Sequence, residues 1–114
     1  MGIEEHYERG LALKQDGRYD EALVEFKAIL ILDNEHAEAH RQLGLIYGFT
    51  GLFDEAIEEL STAIRLDAVN IGARNDLALT YCMLGMSEEA KAEFELVLSL
   101  DPDNAVAKKN MIYF

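Results

Sequence analysis

The sequence predicts an all-α protein, an α-solenoid made of three antiparallel helix–turn–helix repeats. The first observation behind this prediction is a period, since Gly17, Gly51 and Gly85 lie 34 residues apart. Further series of small, apolar and acidic residues keep the same spacing, which is typical of stacked helical units. The second observation is composition: half of the 114 residues are hydrophobic, and Pro102 is the only proline. Helices can therefore run nearly uninterrupted and share one core.

We divide the chain into a first repeat at residues 3–36, a second at 37–70 and a third at 71–104. Residues 105–114 are in register with the first helix of a repeat, so they are expected to form a seventh, capping helix. The repeats and the capping helix together make a single domain of ordinary size.

The second repeat shows how each element is predicted. Leu43, Ile46 and Tyr47 recur at three- and four-residue steps, which is the pattern of one buried helical face. Gly51 ends this first helix, because glycine readily adopts the left-handed backbone conformation of a helix C-terminus. Asp54 begins the next helix, where the helix dipole favours a negative charge. The other two repeats follow the same scheme.

Small residues are expected where the two helices of a hairpin cross closely. Helices approach each other only where neither presents a bulky side chain. Small residues recur on the first and second helices at the repeat period, and they should face each other: Gly10, Gly44 and Ala78 with Ala22, Ala56 and Ala90.

The end of the chain carries three local signals. Ser87 is placed to cap the second helix of the third repeat, and Pro102 blocks continuation of that helix past Leu100. The last four residues, from Met111 to Phe114, are strongly apolar. Three explanations stay open for them: the tail packs back on the third repeat, it docks on another molecule, or the chain is a fragment of a longer array.

The chain is strongly acidic. It contains 22 aspartates and glutamates against 10 lysines and arginines, which is a formal charge of −12. Such a protein repels phosphate backbones and anionic lipid surfaces, and Lys108-Lys109 is its only adjacent pair of cations. We therefore expect no nucleic-acid partner. Glutamates such as Glu58 and Glu59 fall on the second helices, where we expect a solvated convex face.

The sequence predicts a cytoplasmic protein without a membrane segment. Its N-terminal residues lack the basic stretch and apolar run of a secretory signal. Its longest apolar run, Ala28 to Leu32, is far shorter than the ~20 residues that span a bilayer. Cys82 is the only cysteine, so no internal disulfide points to an oxidising compartment.

The repeat resembles the tetratricopeptide repeat over nearly the whole chain. The matching residues of the second and third repeats are Leu43-Gly44, Tyr47, Ala56, Leu60 and Ala63, then Leu77-Ala78, Tyr81, Ala90, Phe94 and Pro102. The first repeat departs from the pattern, since His6 and Arg9 stand where large apolar residues are usual. An outermost repeat lacks one neighbour, so these polar residues are expected to cap the array.

The resemblance implies a right-handed superhelix, with the first helices of the repeats lining its concave side. In the family, peptide ligands lie against that side. The residues that the register places in this groove are Tyr7, Leu11, Lys14, Arg41, Gln42, Leu45, Gly48, Phe49, Asn75, Leu79, Cys82 and Met83.

These groove residues form an apolar stripe with polar groups beside it. Leu11, Leu45 and Leu79 repeat along the stripe, and an exposed apolar patch usually marks an interaction site. Gln42 and Asn75 offer side-chain amides for bonding a peptide backbone. An alternative stays open, in which neighbouring first helices bury the leucines against each other.

One ligand class of the family can be judged on these residues. Family members that grip the acidic tails of chaperones use a two-carboxylate clamp of lysine, asparagine and arginine. The corresponding positions of this chain hold Tyr7, Leu11, Gln42, Gly72 and Asp76. None of them is a cation, and Asp76 repels a carboxylate, so we expect no such clamp.

The sequence predicts neither an enzyme nor a metal or cofactor site. His36 and His40 are four residues apart, but the zinc-protease motif needs glutamate directly after the first histidine, where this chain has Ala37. Cys82 has no basic or histidine neighbour in sequence to lower its pKa, so we interpret it as a groove-lining hydrophobe.

We therefore predict a protein–protein interaction module that holds a peptide or helix of a partner protein in the concave groove. The ligand would be an apolar or amphipathic segment. The alternative is a self-assembling structural unit, in which the terminal hairpins or the apolar C-terminus join copies into homo-oligomers.

Overall fold

The computed structural model describes all 114 residues as seven α-helices joined by short turns, with no strand. The structure is the all-α helical repeat solenoid that the period predicts. None of the helices has the length and apolar character that crossing a membrane requires. The helices are α1 (Ile3–Gln15), α2 (Tyr19–Leu32), α3 (Ala37–Phe49), α4 (Phe53–Leu66), α5 (Ile71–Met83), α6 (Ser87–Leu100) and α7 (Ala105–Met111).

Glycines make the turn inside each hairpin, as the sequence predicts. Gly17, Gly51 and Gly85 have φ angles of +76°, +81° and +74°, in the left-handed region that side chains disfavour. In the middle hairpin, the backbone N–H of Leu52 donates to the carbonyl oxygen of Tyr47 at 2.8 Å, which closes the end of α3. These three turns reverse the chain and place α1, α3 and α5 side by side in one layer.

The turns between repeats are closed by side-chain caps that sequence reasoning missed. His36 Nδ1, Asn70 Oδ1 and Asn104 Oδ1 accept hydrogen bonds from backbone N–H groups three residues later, at 3.1, 3.0 and 3.0 Å. The caps start α3, α5 and α7 and recur at the repeat period. The prediction for Ser87 is wrong, because it is the first residue inside α6 and the capping position belongs to Met86.

Small residues permit close packing, but they do so against larger partners than predicted. A Cβ atom added to Gly10 would lie 2.7 Å from the ring of Phe26. A Cβ atom on Gly44 would lie 2.6 Å from Cγ of Leu60 and 3.2 Å from the backbone oxygen of Ala56. The glycines of the first helices therefore receive the bulky side chains of the second helices. Phe26 and Leu60 are 0% and 1% exposed as a result.

A polar contact crosses each hairpin at the same repeat position, and sequence reasoning missed this series as well. His6 contacts Glu25, His40 contacts Glu59 and Arg74 contacts Glu93, at 3.0, 2.7 and 3.0 Å. Glu59 was expected on a solvated face, but it is half-buried because His40 reaches it from α3.

The last residues divide between packing and exposure. Met111 packs against the core of the third hairpin, and the ring of Phe114 lies 6.3 Å from that of Phe94. Ile112 and Tyr113 point away and are each 76% exposed. The tail therefore packs back through two of its four apolar residues and leaves the other two open to solvent.

Candidate functional site

The largest concavity of the molecule lies between the C-terminal halves of α3 and α5. It has a volume of about 680 Å³ and is mostly apolar. We call it the apolar cavity. Its lining residues are Tyr19, Gly44, Leu45, Gly48, Phe49, Leu60, Asp76, Leu79, Thr80, Cys82 and Met83.

Two bulky side chains at this cavity remain strongly exposed. Phe49, at the end of α3, is 58% exposed, and Met83, at the end of α5, is 66% exposed. The ring of Tyr19 at the start of α2 lies 5.8 Å from that of Phe49 and supports it from one side. Gly48 adds no side chain, and nothing lies within 4 Å of where its Cβ would stand. An open apolar cavity beside exposed aromatic and methionine side chains is typical of an interaction surface.

The predicted apolar stripe is divided between this cavity and the core. Leu45 and Leu79 line the cavity, whereas Leu11 packs against the buried cluster of the first two repeats. Tyr7 also packs inward, with its ring edge-on to Phe26 at 6.0 Å. Leu11 and Tyr7 of the first repeat therefore pack on the core, whereas Leu45 and Leu79 of the other two repeats face the open cavity.

A band of polar contacts ties the three first helices together next to the cavity. Arg41 donates from Nε to Asp76 Oδ2 at 2.7 Å and from Nη1 to Glu38 Oε1 at 3.1 Å. Lys14 donates to Gln42 Oε1 at 2.6 Å, and Gln42 donates to Glu38 Oε1 at 3.2 Å. We call these five residues the polar band. Both cations of this surface are already partnered within it.

Partial burial shifts the pKa values of two side chains in the polar band, Asp76 and Lys14. Burial raises the pKa of Asp76, and the neighbouring Arg41 opposes that rise. Burial lowers the pKa of Lys14, and repulsion from Arg41 lowers it further. Ionisation of Asp76 and protonation of Lys14 are therefore both less favourable than for the same groups in water.

The two predicted peptide-binding amides need a correction. Gln42 and Asn75 are only 4% and 6% exposed, so neither is open to a ligand in this conformation. Lys14 covers Gln42, while Asn75 Nδ2 donates to Asn104 Oδ1 at 3.1 Å at the start of α7. Register predicted both on the groove face, but residues of neighbouring segments cover them. Oδ1 of Asn75 is buried without a hydrogen-bond partner.

Cys82 and the histidines have local roles in the structure. Cys82 lines the apolar cavity, and burial raises the pKa of its thiol, which disfavours the reactive thiolate. His36 caps α3, whereas His40 faces Glu59 and the backbone oxygen of Asn34.

A second concavity of about 410 Å³ lies between the N-terminal halves of α1 and α3. Glu4 and Glu8 line it from α1, and both are exposed and form no ion pair. Glu38 belongs both to this concavity and to the polar band. We call it the acidic cavity, with Ile3, Tyr7 and His36 as its other lining residues.

Tyr19 lines the apolar cavity but was not predicted to do so, because it lies on a second helix and the predicted groove contains residues of the first helices alone. The signal that was available is its register, since Tyr19 and Phe53 are aromatic residues at equivalent positions 34 residues apart. Leu60 and Gly44 also reach the cavity from positions assigned to the hairpin core.

Comparison with known proteins gives a consistent picture of the fold. The family model for the tetratricopeptide repeat matches residues 13–69 and 50–110. No curated protein sequence matches the chain.

Among solved structures, the chain is similar to the first TPR domain of Spaghetti (RPAP3), bound to the HSP90 peptide SRMEEVD. The identity is 23%, with 97% of this chain and 88% of that chain covered, and the TM-score is 0.92. It is also similar to the second TPR domain of human RPAP3 in complex with the HSP70 peptide SGPTIEEVD, at 27% identity, 91% and 87% coverage and a TM-score of 0.84. MamA is similar at 28% identity, 88% and 58% coverage and a TM-score of 0.81.

Proposed function

This chain belongs to the tetratricopeptide repeat family, and we propose that it is a non-catalytic interaction module that binds a segment of a partner protein in the apolar cavity. The observation that carries the proposal is the exposure of Phe49 and Met83 beside a cavity of about 680 Å³. Exposure of this apolar surface to water is unfavourable in the free protein, and a bound partner would remove the surface from water. Solved domains of the same fold hold chaperone peptides, which supports a binding role.

We propose an apolar or amphipathic ligand rather than an acidic tail. The peptides held by the two RPAP3 domains contain consecutive glutamates followed by valine and aspartate. In this chain, Asp76 lines the apolar cavity, and the two cations of the surface, Lys14 and Arg41, are already partnered. An acidic peptide would therefore find no free cation at the cavity, and the net charge of −12 on the protein would repel it.

The cavity residues divide by position. Leu45 and Leu79 would contact the buried side of a ligand, while Phe49 and Met83 would close over it from the rim. Gly48 leaves the space that the ligand would occupy. Cys82 also lines the cavity. The other predicted groove residues would hold the helices in position rather than contact the ligand: Tyr7, Leu11, Lys14, Arg41, Gln42 and Asn75.

The test uses a phage-displayed library of random 12-residue peptides, selected on the immobilised protein. We expect selected peptides to lose at least about tenfold in affinity for Phe49→Glu/Met83→Glu, because that variant puts two charges beside the apolar cavity. The matched control is Val24→Glu/Ile31→Glu on α2, where the replaced side chains are 66% and 85% exposed and lie outside the cavity.

The control variant should retain the affinity of the parent, and both variants should keep the helical circular dichroism signal. The proposal is wrong if no peptide is selected, or if the two variants lose affinity equally. Equal loss would show that binding follows general apolar exposure and not the cavity.

A second candidate function is self-assembly, and the exposure of Ile112 and Tyr113 favours it. Sedimentation equilibrium of the parent and of Ile112→Ser/Tyr113→Ser tests it. These two residues are chosen because Met111 and Phe114 pack on the third hairpin and their removal would disturb the fold. Self-assembly predicts an oligomer that becomes a monomer in the variant. A monomer in both samples excludes it.

A further inference from the structure

We propose that the partner segment carries lysine or arginine residues a few positions away from its apolar anchor, and that these cations bind Glu4 and Glu8 in the acidic cavity. The inference deepens the proposed function and rests on it. It starts from the fact that both cavities open on the surface formed by α1, α3 and α5, one on each side of the polar band.

The charges on this surface are unbalanced. Its two cations are Lys14 and Arg41, whereas it carries four carboxylates: Glu38 and Asp76 in the polar band, and Glu4 and Glu8 in the acidic cavity. Arg41 serves Glu38 and Asp76, while Lys14 bonds to an amide oxygen. Nothing in the protein neutralises Glu4 and Glu8, which stand in an open cavity of about 410 Å³.

A cationic ligand is favoured over a neutral one for two reasons. Ion pairs with Glu4 and Glu8 would offset the desolvation of those carboxylates when a ligand covers them. The whole protein also carries a formal charge of −12, so its field attracts cationic segments before contact. The apolar cavity would hold the apolar anchor of the ligand. The acidic cavity would fix the position of the ligand along the groove and select segments that carry cations.

The helix geometry sets the spacing between the two features. Glu38 in the acidic cavity and Phe49 at the apolar cavity are both on α3. Their separation in sequence corresponds to about 16 Å along the axis, at about 1.5 Å per residue. An extended segment covers this distance with about five residues, at about 3.3 Å each. We therefore expect cations about four to six positions from the anchor.

The decisive measurement is the composition of the selected 12-residue peptides and their affinity for charge-reversed variants. We expect lysine and arginine at this distance from a bulky apolar residue. Glu4→Lys/Glu8→Lys should weaken the binding of these peptides about tenfold, since it replaces two attractions with two repulsions. The loss should diminish as salt rises, because exposed charges are screened.

The matched control is Glu55→Lys/Glu58→Lys on α4. Both glutamates are exposed and unpaired, and Glu55 lies in the first turn of its helix as Glu4 does. The control therefore changes the net charge of the protein, and the charge in the first turn of a helix, in the same way as Glu4→Lys/Glu8→Lys does. We expect this control to weaken binding less than twofold, because the field of the whole protein changes but the contact does not.

The outcomes separate this inference from the proposed function. Peptides that need Phe49 and Met83 but carry no cations would overturn the inference and leave the proposed function intact. An equal loss in both charge-reversed variants would also overturn it. A third outcome is a dimer that forms without peptide and dissociates in Glu4→Lys/Glu8→Lys. It would identify a second copy as the occupant, bound through Lys108-Lys109 and the exposed tail, and would overturn the inference that the occupant is a separate partner protein.

Discussion

The first helices of repeats one and two, α1 and α3, occupy equivalent positions but have different surroundings. Helix α3 buries five residues, whereas α1 buries only Gly10. Leu43 on α3 is 2% exposed, while the equivalent Arg9 on α1 has a side chain that is 62% exposed. Helix α3 packs between α2 and α4, but α1 has no helix on its outer side. The repeat sequence decides that both are helices, and the number of neighbours decides which face of each becomes core.

The largest expected effect on stability comes from alanine substitution at the equivalent positions 9 and 43. Leu43→Ala should lower the free energy of unfolding by about 2–5 kcal/mol, because it leaves a cavity in a closely packed core. Arg9→Ala should change it by less than about 0.5 kcal/mol, because the side chain is mostly in water. Urea denaturation followed by circular dichroism measures both. Similar losses for the two variants would mean that α1 is packed as tightly as α3.

The next test compares two glycines within α3. Gly44→Ala should destabilise the protein by about 1–3 kcal/mol, since the new methyl group would overlap Leu60 and approach the backbone of Ala56. Gly48→Ala should stabilise it by about 0.5–1 kcal/mol, because the site is open and alanine favours a helix.

The two midpoints of thermal unfolding should therefore move in opposite directions. Gly48→Ala should also weaken ligand binding, because the added methyl group occupies the apolar cavity. Movement of both midpoints in the same direction would contradict the packing described for α3.

A smaller effect is expected where a histidine connects α1 to α2 and α3 to α4. His40 in α3 contacts Glu59 and the backbone oxygen of Asn34, whereas His6 in α1 contacts only Glu25. His40→Ala should therefore cost about 1–2 kcal/mol of stability and His6→Ala less than about 1 kcal/mol. Denaturation at constant pH measures the difference. A larger loss for His6→Ala would show that contacts at the open end matter more than the structure indicates.

The smallest effect concerns the position that holds Lys14 in α1, Gly48 in α3 and Cys82 in α5. Cys82 is exposed, but desolvation by its neighbours raises the pKa of its thiol, so less of it is thiolate at pH 8 than for a fully solvated thiol. Iodoacetamide should modify Cys82 more slowly than glutathione, and the rate should increase as pH rises toward the raised pKa.

A bound peptide should slow the modification of Cys82 further, because the residue lines the apolar cavity. Mass spectrometry of timed samples measures the rate with and without a selected peptide. A rate equal to that of glutathione would contradict the raised pKa. A rate unaffected by the peptide would show that the ligand does not cover Cys82.

The sequence predicted the fold well because the determinants of fold repeat. Gly17, Gly51 and Gly85 mark equivalent turns, and each has the positive φ that only a glycine adopts easily. The contacts of His40 with Glu59 and of Arg74 with Glu93 recur too, but a contact between two helices appears in a sequence only when both partners are compared across repeats. The capping residues Asn70 and Asn104 were missed too, although asparagine at the start of a helix is a local signal that the sequence carries.

The candidate site was only partly predictable. Leu45 and Phe49 were predicted to lie on the first-helix surface, and the structure brings them into one cavity with Leu79 and Met83. Gln42 and Asn75 share that register but are covered by residues of neighbouring helices. Register assigns a residue to a face of its own helix, and exposure depends on what the next helix places over it.

The sequence by itself determined the all-α repeat architecture, the turn glycines and the acidic character, because each depends on local conformation or on composition. Only the tertiary structure decided that the open apolar surface lies between α3 and α5, and that the unpaired carboxylates of α1 line a separate cavity. Local preferences act over a few residues along the chain. Burial and charge pairing arise between residues that are distant in sequence, and they exist only once the helices have packed.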